Sequence, residues 1–112
     1  MAVVPATLDL RIQKRSDWSI QVTFKDSEGT AVDLTGWTIA SEVWDKGRTN
    51  LYATMSTELV DAVNGLVKLS LDRVQTEALP SRAQYDVALT NTEDIKEYYI
   101  EGTIVTSEGY TA

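Results

Sequence analysis

Apolar and polar residues alternate with period two along most of this chain. Trp18, Ile20, Val22 and Phe24 alternate with Ser19, Gln21, Thr23 and Lys25, the mark of a half-buried strand with one wet face. Leu8, Leu10 and Ile12 alternate with Asp9 and Arg11 just before it, and Tyr85, Val87 and Leu89 alternate with Asp86, Ala88 and Thr90 further on. In the segment Trp37-Trp44 the period puts Trp37, Ile39 and Val43 on a core face. Trp44 then shares the opposite face with Thr38, Ala40 and Glu42. In the last strand, Tyr98, Ile100, Gly102 and Ile104 form one face, and Tyr99, Glu101, Thr103 and Val105 the other.

Turn signals separate these runs at short intervals. They are Asp26-Ser27-Glu28-Gly29, Asp45-Lys46-Gly47-Arg48, Asn64-Gly65 and Asn91-Thr92-Glu93-Asp94. Asn64-Gly65 predicts a two-residue hairpin between a strand near Val60-Val63 and Leu66-Leu71, because a type I′ turn needs positive φ at both central residues. One segment breaks the alternation. Over residues 72–79, Asp72 and Gln75 have the spacing of a capping box, Val74 and Ala78 share a helical face, and Pro80 stops the run. The pattern predicts an all-β, immunoglobulin-like antiparallel sandwich of about seven strands, with one short helix near 72–79 plugging an end. Tyr85, at a strand start five residues after Pro80, is similar to the tyrosine corner of such folds.

A length of 112 residues fits a single domain over 1–112, with its core at about 8–105 and short arms at Met1-Thr7 and Ser107-Ala112. No apolar run approaches the roughly 20 residues of a membrane span, and Met1-Thr7 lacks the basic start of a signal peptide. Membrane partners are therefore not expected.

Composition narrows the chemistry. The sequence has no cysteine and no histidine, which removes disulfides, thiolate sites, thiol nucleophiles and the commonest general base and metal ligand. The net charge of −7 is wrong for a phosphate backbone, so no nucleic-acid partner is expected. The glycines are scattered rather than gathered into a phosphate loop. Asp26, Glu28, Asp45, Glu93 and Asp94 fall where turns need them, without the ladder spacing of a calcium loop. A carboxylate-pair hydrolase is an available chemistry, but the sequence names no pair. No enzymatic activity, catalytic residue, metal or cofactor is expected.

The aromatics carry more information. Trp18 and Trp37 lie on apolar faces, whereas Trp44, Tyr52, Tyr99 and Val105 fall opposite the expected core faces of their strands. They form the candidate interface, since Trp and Tyr are enriched where proteins meet. A bulge would reverse the face of Trp44.

The motifs also follow a recognisable order. Leu8-Asp9-Leu10 precedes Trp18-Ser19-Ile20-Gln21-Val22-Thr23-Phe24-Lys25-Asp26, and then Gly29-Thr30-Ala31-Val32-Asp33-Leu34-Thr35-Gly36-Trp37. Asn64-Gly65-Leu66-Val67-Lys68-Leu69-Ser70-Leu71, Thr76-Glu77-Ala78-Leu79-Pro80, Tyr85-Asp86-Val87-Ala88-Leu89 and Ile100-Glu101-Gly102-Thr103-Ile104-Val105 follow. In this order the chain resembles a family of small immunoglobulin-like domains of tailed bacteriophages, related to the N-terminal domain of the phage baseplate upper protein. The resemblance implies a non-enzymatic virion structural protein, made in the host cytoplasm and located in the phage tail or baseplate. Its partners would be other phage virion proteins, baseplate or fibre components, in a multicopy symmetric assembly. The baseplate protein continues into a further region, whereas this sequence stops at Ala112, so a free-standing connector is expected. A capsid decoration or neck protein is the alternative within the same class. A carbohydrate-binding module stacking sugars on Trp44, Tyr52 or Tyr99 is the alternative outside it.

Overall fold

A computed structural model describes residues 6–26 and 28–108. Ser27 of the first expected turn, and the arm residues 1–5 and 109–112, lie outside the described residues. The strands are β1 (Ala6–Thr7), β2 (Leu10–Gln13), β3 (Trp18–Thr23), β4 (Thr38–Trp44), β5 (Leu51–Thr54), β6 (Ser56–Asp61), β7 (Leu66–Leu71), β8 (Arg82–Thr90) and β9 (Lys96–Ser107), with one helix, α1 (Arg73–Glu77). They form two sheets. The larger has six strands in the order β1-β9-β8-β4-β5, with β2 also on β9, and the smaller has three in the order β3-β7-β6. Ile12, Val43, Val67, Leu69, Val87, Leu89 and Ile104 are almost wholly buried between the two sheets. The protein is thus mostly β, two sheets packed as a sandwich with one short helix; the described residues form nine strands rather than about seven, and β1 and β2 pair parallel with β9 rather than antiparallel.

Alternation and structure agree closely in β3, β7 and β8. Trp18, Ile20 and Val22 turn inward, and Ser19, Gln21 and Thr23 outward. Asp33-Leu34-Thr35-Gly36 is a structural device. The Trp37 N–H donates to Leu34 O at 2.9 Å, Gly36 takes φ 81°, and the Asp33 carboxylate accepts from the Thr35 amide and hydroxyl. The glycine meets the positive φ that such a turn demands.

Three local expectations are corrected. The β6–β7 connection is a four-residue turn over 62–65, with Asp61 opposite Leu66, and only Gly65 has positive φ. Asn64 instead donates its side-chain amide to Asp61. In α1 the expected capping box is present, with the Gln75 N–H donating to Asp72 Oδ1 at 2.8 Å and the Asp72 N–H to Gln75 Oε1 at 3.0 Å. Its buried residue, however, is Thr76, while Val74 is 71% exposed and Ala78 also faces solvent. The helix docks through polar bonds rather than an apolar stripe: Thr76 Oγ1 accepts from the Ser16 N–H and donates to Ser16 O. Finally, Ala6–Thr7 and Ser107 are paired strand residues, β1 on β9 and Gln13 opposite Ser107, not free arms.

β1 and β2 run parallel to β9 in one continuous register, broken only at Leu8-Asp9. The break has a physical cause. Leu8 lies opposite Gly102, and its N–H donates to Glu101 O at 3.0 Å as a parallel ladder requires. Its carbonyl would ordinarily accept from the Thr103 N–H, but Asp9 Oδ1 takes that donor at 3.0 Å. The Leu8 carbonyl turns instead to the Tyr85 hydroxyl, which donates to it. This crossing demands glycine at 102, because a Cβ there would collide with the Leu8 carbonyl oxygen and lie 2.7 Å from the carbonyl carbon. As in a tyrosine corner, the Tyr85 hydroxyl bonds backbone upstream, but 77 residues away in the N-terminal segment rather than a few residues away.

Tyr85→Phe should lower stability by about 0.5–1.5 kcal/mol in urea unfolding, because a partly buried carbonyl loses its donor. Burial, and then the charge of Asp9, push the Tyr85 phenol up to about 12. An unfolded tyrosine titrates near pH ~10, so the folded state holds this proton more tightly. Stability should be intact below that pH and fall as pH rises towards 12, with a shallower fall in Tyr85→Phe. Gly102→Ala should be at least as damaging, since the backbone of β1 must move.

Candidate functional site

The outer face of the six-stranded sheet is the best-developed surface. β4 contributes Ala40, Glu42 and Trp44, β8 contributes Gln84, Asp86 and Ala88, and β9 contributes Tyr98, Glu101 and Thr103. Together they line a groove of about 430 Å³. Ala88 is only 4% exposed although it lies on this outer face, so the larger neighbours stand as walls over a floor of small residues.

Two local cation–aromatic pairs shape the walls. Asp45 closes the turn after β4, accepting from the Thr49 N–H at 2.6 Å and from the Asn50 side chain at 2.9 Å. These bonds hold the Asp45 carboxyl below its ordinary value. The turn places the Arg48 guanidinium 4.9 Å from the centre of the Trp44 ring. Trp44 Nε1–H donates to Glu42 Oε1 at 3.1 Å. On the other side, Lys96 Nζ lies 5.5 Å from the Tyr98 ring centre.

Three carboxylates cross the groove in a row. Glu42 lies opposite Asp86, and Asp86 opposite Glu101, on adjacent strands. Like charges so opposed repel. Burial lifts the Asp86 carboxyl above the ordinary carboxylate value. Glu42 and Glu101 push it the same way, against Lys96 and Arg48. None of the three carboxylates has a cation within ion-pair distance among the described residues. Nor do they converge into a group able to hold a metal. The row is a line of negative charge, not a cage.

The four candidate interface residues separate. Trp44 faces outward as expected: β4 slips against β5 between Val43 and Trp44, but keeps regular register on β8. The extra residue at that slip is Tyr52, which packs against the core, while Leu51 pairs with Trp44 and is 47% exposed. The same happens on β9. A slip between Val87 and Ala88 pairs Ala88 with Tyr98 and leaves Tyr99 unpaired. Tyr99 turns inward, edge-on to Phe24 at 5.9 Å and Trp37 at 6.3 Å, and Tyr98 is 44% exposed. The outward placement of Tyr52 and Tyr99 is therefore corrected, because a single extra residue in a strand reverses every face beyond it. Val105 is half-buried outside the core, between the exposed Arg11 and Arg82 on its neighbouring strands. Sequence reasoning missed Tyr98, and the adjacent pair Tyr98-Tyr99 was the signal, since one of two neighbours must face out.

Asp86→Asn tests the charged row. The folded state binds the Asp86 proton more tightly than the unfolded chain, so this side chain supports folding best below pH ~4. That contribution is lost as pH rises through the raised folded value. The asparagine variant should be more stable at neutral pH by about 0.2–1 kcal/mol. The gain should vanish in acid, as read from melting curves across pH.

No family model matches the chain, and a search of curated proteins returns no match to it.

Proposed function

We propose that this protein is a non-enzymatic structural connector of a tailed-phage virion, an immunoglobulin-like domain that docks between baseplate or tail-fibre components. The observation that carries the reading is the outer face of the six-stranded sheet. It sets the Trp44 and Tyr98 rings at the sides of a shallow groove, and Trp and Tyr are enriched where proteins meet. The order of sequence motifs supplies the kind of particle. Asp33-Leu34-Thr35-Gly36 and the stretch from Leu79 to Tyr85 act as structural devices, a turn and an anchor for the N-terminal strand. That is how a shared scaffold uses its motifs.

A saccharide-binding module is the competing reading, and the geometry disfavours it. Tyr52 and Tyr99 are packed inward, and the Trp44 and Tyr98 rings already carry Arg48 and Lys96. Those cations occupy ring surface on which a sugar would stack.

Antibody labelling of purified particles, imaged by electron microscopy, should place this chain at the baseplate or fibre-attachment end. Label on the head or neck would move the protein to a decoration or neck role, and particles lacking the chain would sink the virion reading. Trp44→Ala should reduce incorporation into particles while leaving the melting temperature within a few degrees. Glycan-array binding lost in Trp44→Ala would favour the saccharide module instead.

A further inference from the structure

The sandwich has four sheet edges, and three of them are blunted. β5 is short and meets β4 through a register slip. β6 carries a slip between Leu59 and Asp61 as well as Glu58 and Asp61. The β1/β2 edge is broken at Leu8-Asp9 and carries Arg11. Breaks, bulges and charges of this kind are what keep sheet edges from pairing with other chains. β3 has none of them. It is six residues long, regular along its whole pairing with β7, and free of charge and proline.

The hydrogen-bond phase of β3 follows from its ladder. The Phe24 N–H donates to Gly65 O at 2.9 Å, so Trp18, Ile20 and Val22 exchange their backbone bonds with β7. Ser19, Gln21 and Thr23 then turn their N–H and C=O groups to the open edge, where no hydrogen bond meets them among the described residues. The inward side chains agree. Trp18, Ile20 and Val22 are only half-buried, whereas Val67, Leu69 and Leu71 beside them on β7 are fully buried. Three strands face six, and the inward residues of both outer strands, β3 and β6, are half-buried.

We propose that β3 is a self-pairing edge, joining β3 of a second copy of this chain antiparallel across a two-fold axis at Gln21. Self-complementarity selects this occupant. With Gln21 opposite Gln21 of the second copy, Ser19 meets Thr23, and all three outward-turned residues form hydrogen-bonded pairs. On the inner face Ile20 meets Val22. At each end Asp17, whose carboxylate already accepts from the Arg73 guanidinium at 2.9 Å, meets Lys25, a residue of opposite charge, both residues being exposed. A shift of register by two residues loses that charge match and one backbone pair. The net charge of −7 on each copy opposes association, but salt screens it beyond roughly 8 Å at physiological ionic strength, leaving the strand contact to decide. The dimer would carry one continuous sheet, β6-β7-β3 of one copy running into β3-β7-β6 of the other, with an isologous contact.

The pure chain tests this, independently of whatever else the protein assembles with. Sedimentation velocity should show a reversible dimer as concentration rises from micromolar to millimolar. Gln21→Pro removes an N–H that β7 does not use, so it should fold as a monomer and weaken dimerisation by more than about tenfold. Should that variant fail to fold, Gln21→Cys decides, because the chain has no other cysteine. Across a hydrogen-bonded pair the two Cα atoms sit about 5.5 Å apart, within disulfide reach. Gln21→Cys should cross-link quickly on mild oxidation, and Ser19→Cys, which faces Thr23 of the second copy, much more slowly. A native chain that stays monomeric at millimolar concentration, or equal cross-linking of the two cysteine variants, overturns the proposal. The first of these outcomes would leave the edge to a strand of another protein.

Discussion

The close approach of the Leu8 carbonyl to Gly102 is the contact on which the larger sheet depends. It carries the N-terminal strand past the middle of β9 in parallel register. Three residues, each from a different part of the chain, make it stable. Gly102 leaves the space, Tyr85 supplies the buried donor, and Asp9 satisfies the amide that the diverted carbonyl abandons. Remove Tyr85 or Asp9 and a partly buried or exposed polar group of this crossing loses its protein partner; add a side chain at 102 and it overlaps the Leu8 carbonyl. The Tyr85 hydroxyl also ties the central strand β8 to the outermost strand across β9, so three neighbouring elements share one bond.

The outer face of the same sheet is organised by a different rule. Small side chains at Ala40 and Ala88 keep the floor low, and the rings at its sides are held by cations from their own neighbourhood. Arg48 reaches Trp44 only because the Asp45 turn folds back, and Lys96 is two residues from Tyr98 on the same strand, hence on the same face. Between them, burial and repulsion along Glu42, Asp86 and Glu101 are only partly offset by Lys96 and Arg48. The row of charge and the two cation-paired rings give this face a character distinct from the rest of the sheet. The smaller sheet presents Ser, Thr and Gln on its β3 face and is distinctive at its edge instead.

Much of this architecture was legible in the residues. Alternation in β3 and β8 identified strands and faces, because one side of each meets the core and the other does not. The Asp72–Gln75 capping box was legible because its bonds are local. Errors collected where one residue was added to a strand. At Tyr52 and Tyr99, a pattern read straight through put the wrong ring outside, since nothing in a run of strand-forming residues marks where pairing slips. Val74 misled for a related reason. The helix is too short for an apolar stripe to outweigh the bonds that Thr76 makes to Ser16.

The sequence by itself determined the class of the fold, the identity of most strands, and the absence of histidine and cysteine chemistry. All of these depend on composition or on the orientation of neighbouring residues. The tertiary structure decided which strands pair, and so which aromatic of each doublet reaches solvent. It also decided that Tyr85 bonds Leu8, that three carboxylates stand in one row, and that the β3 edge is left regular and uncharged. These are relations between residues far apart in the chain. They rest on register, and register is set by how strands pack against one another rather than by the order of residues within any one of them.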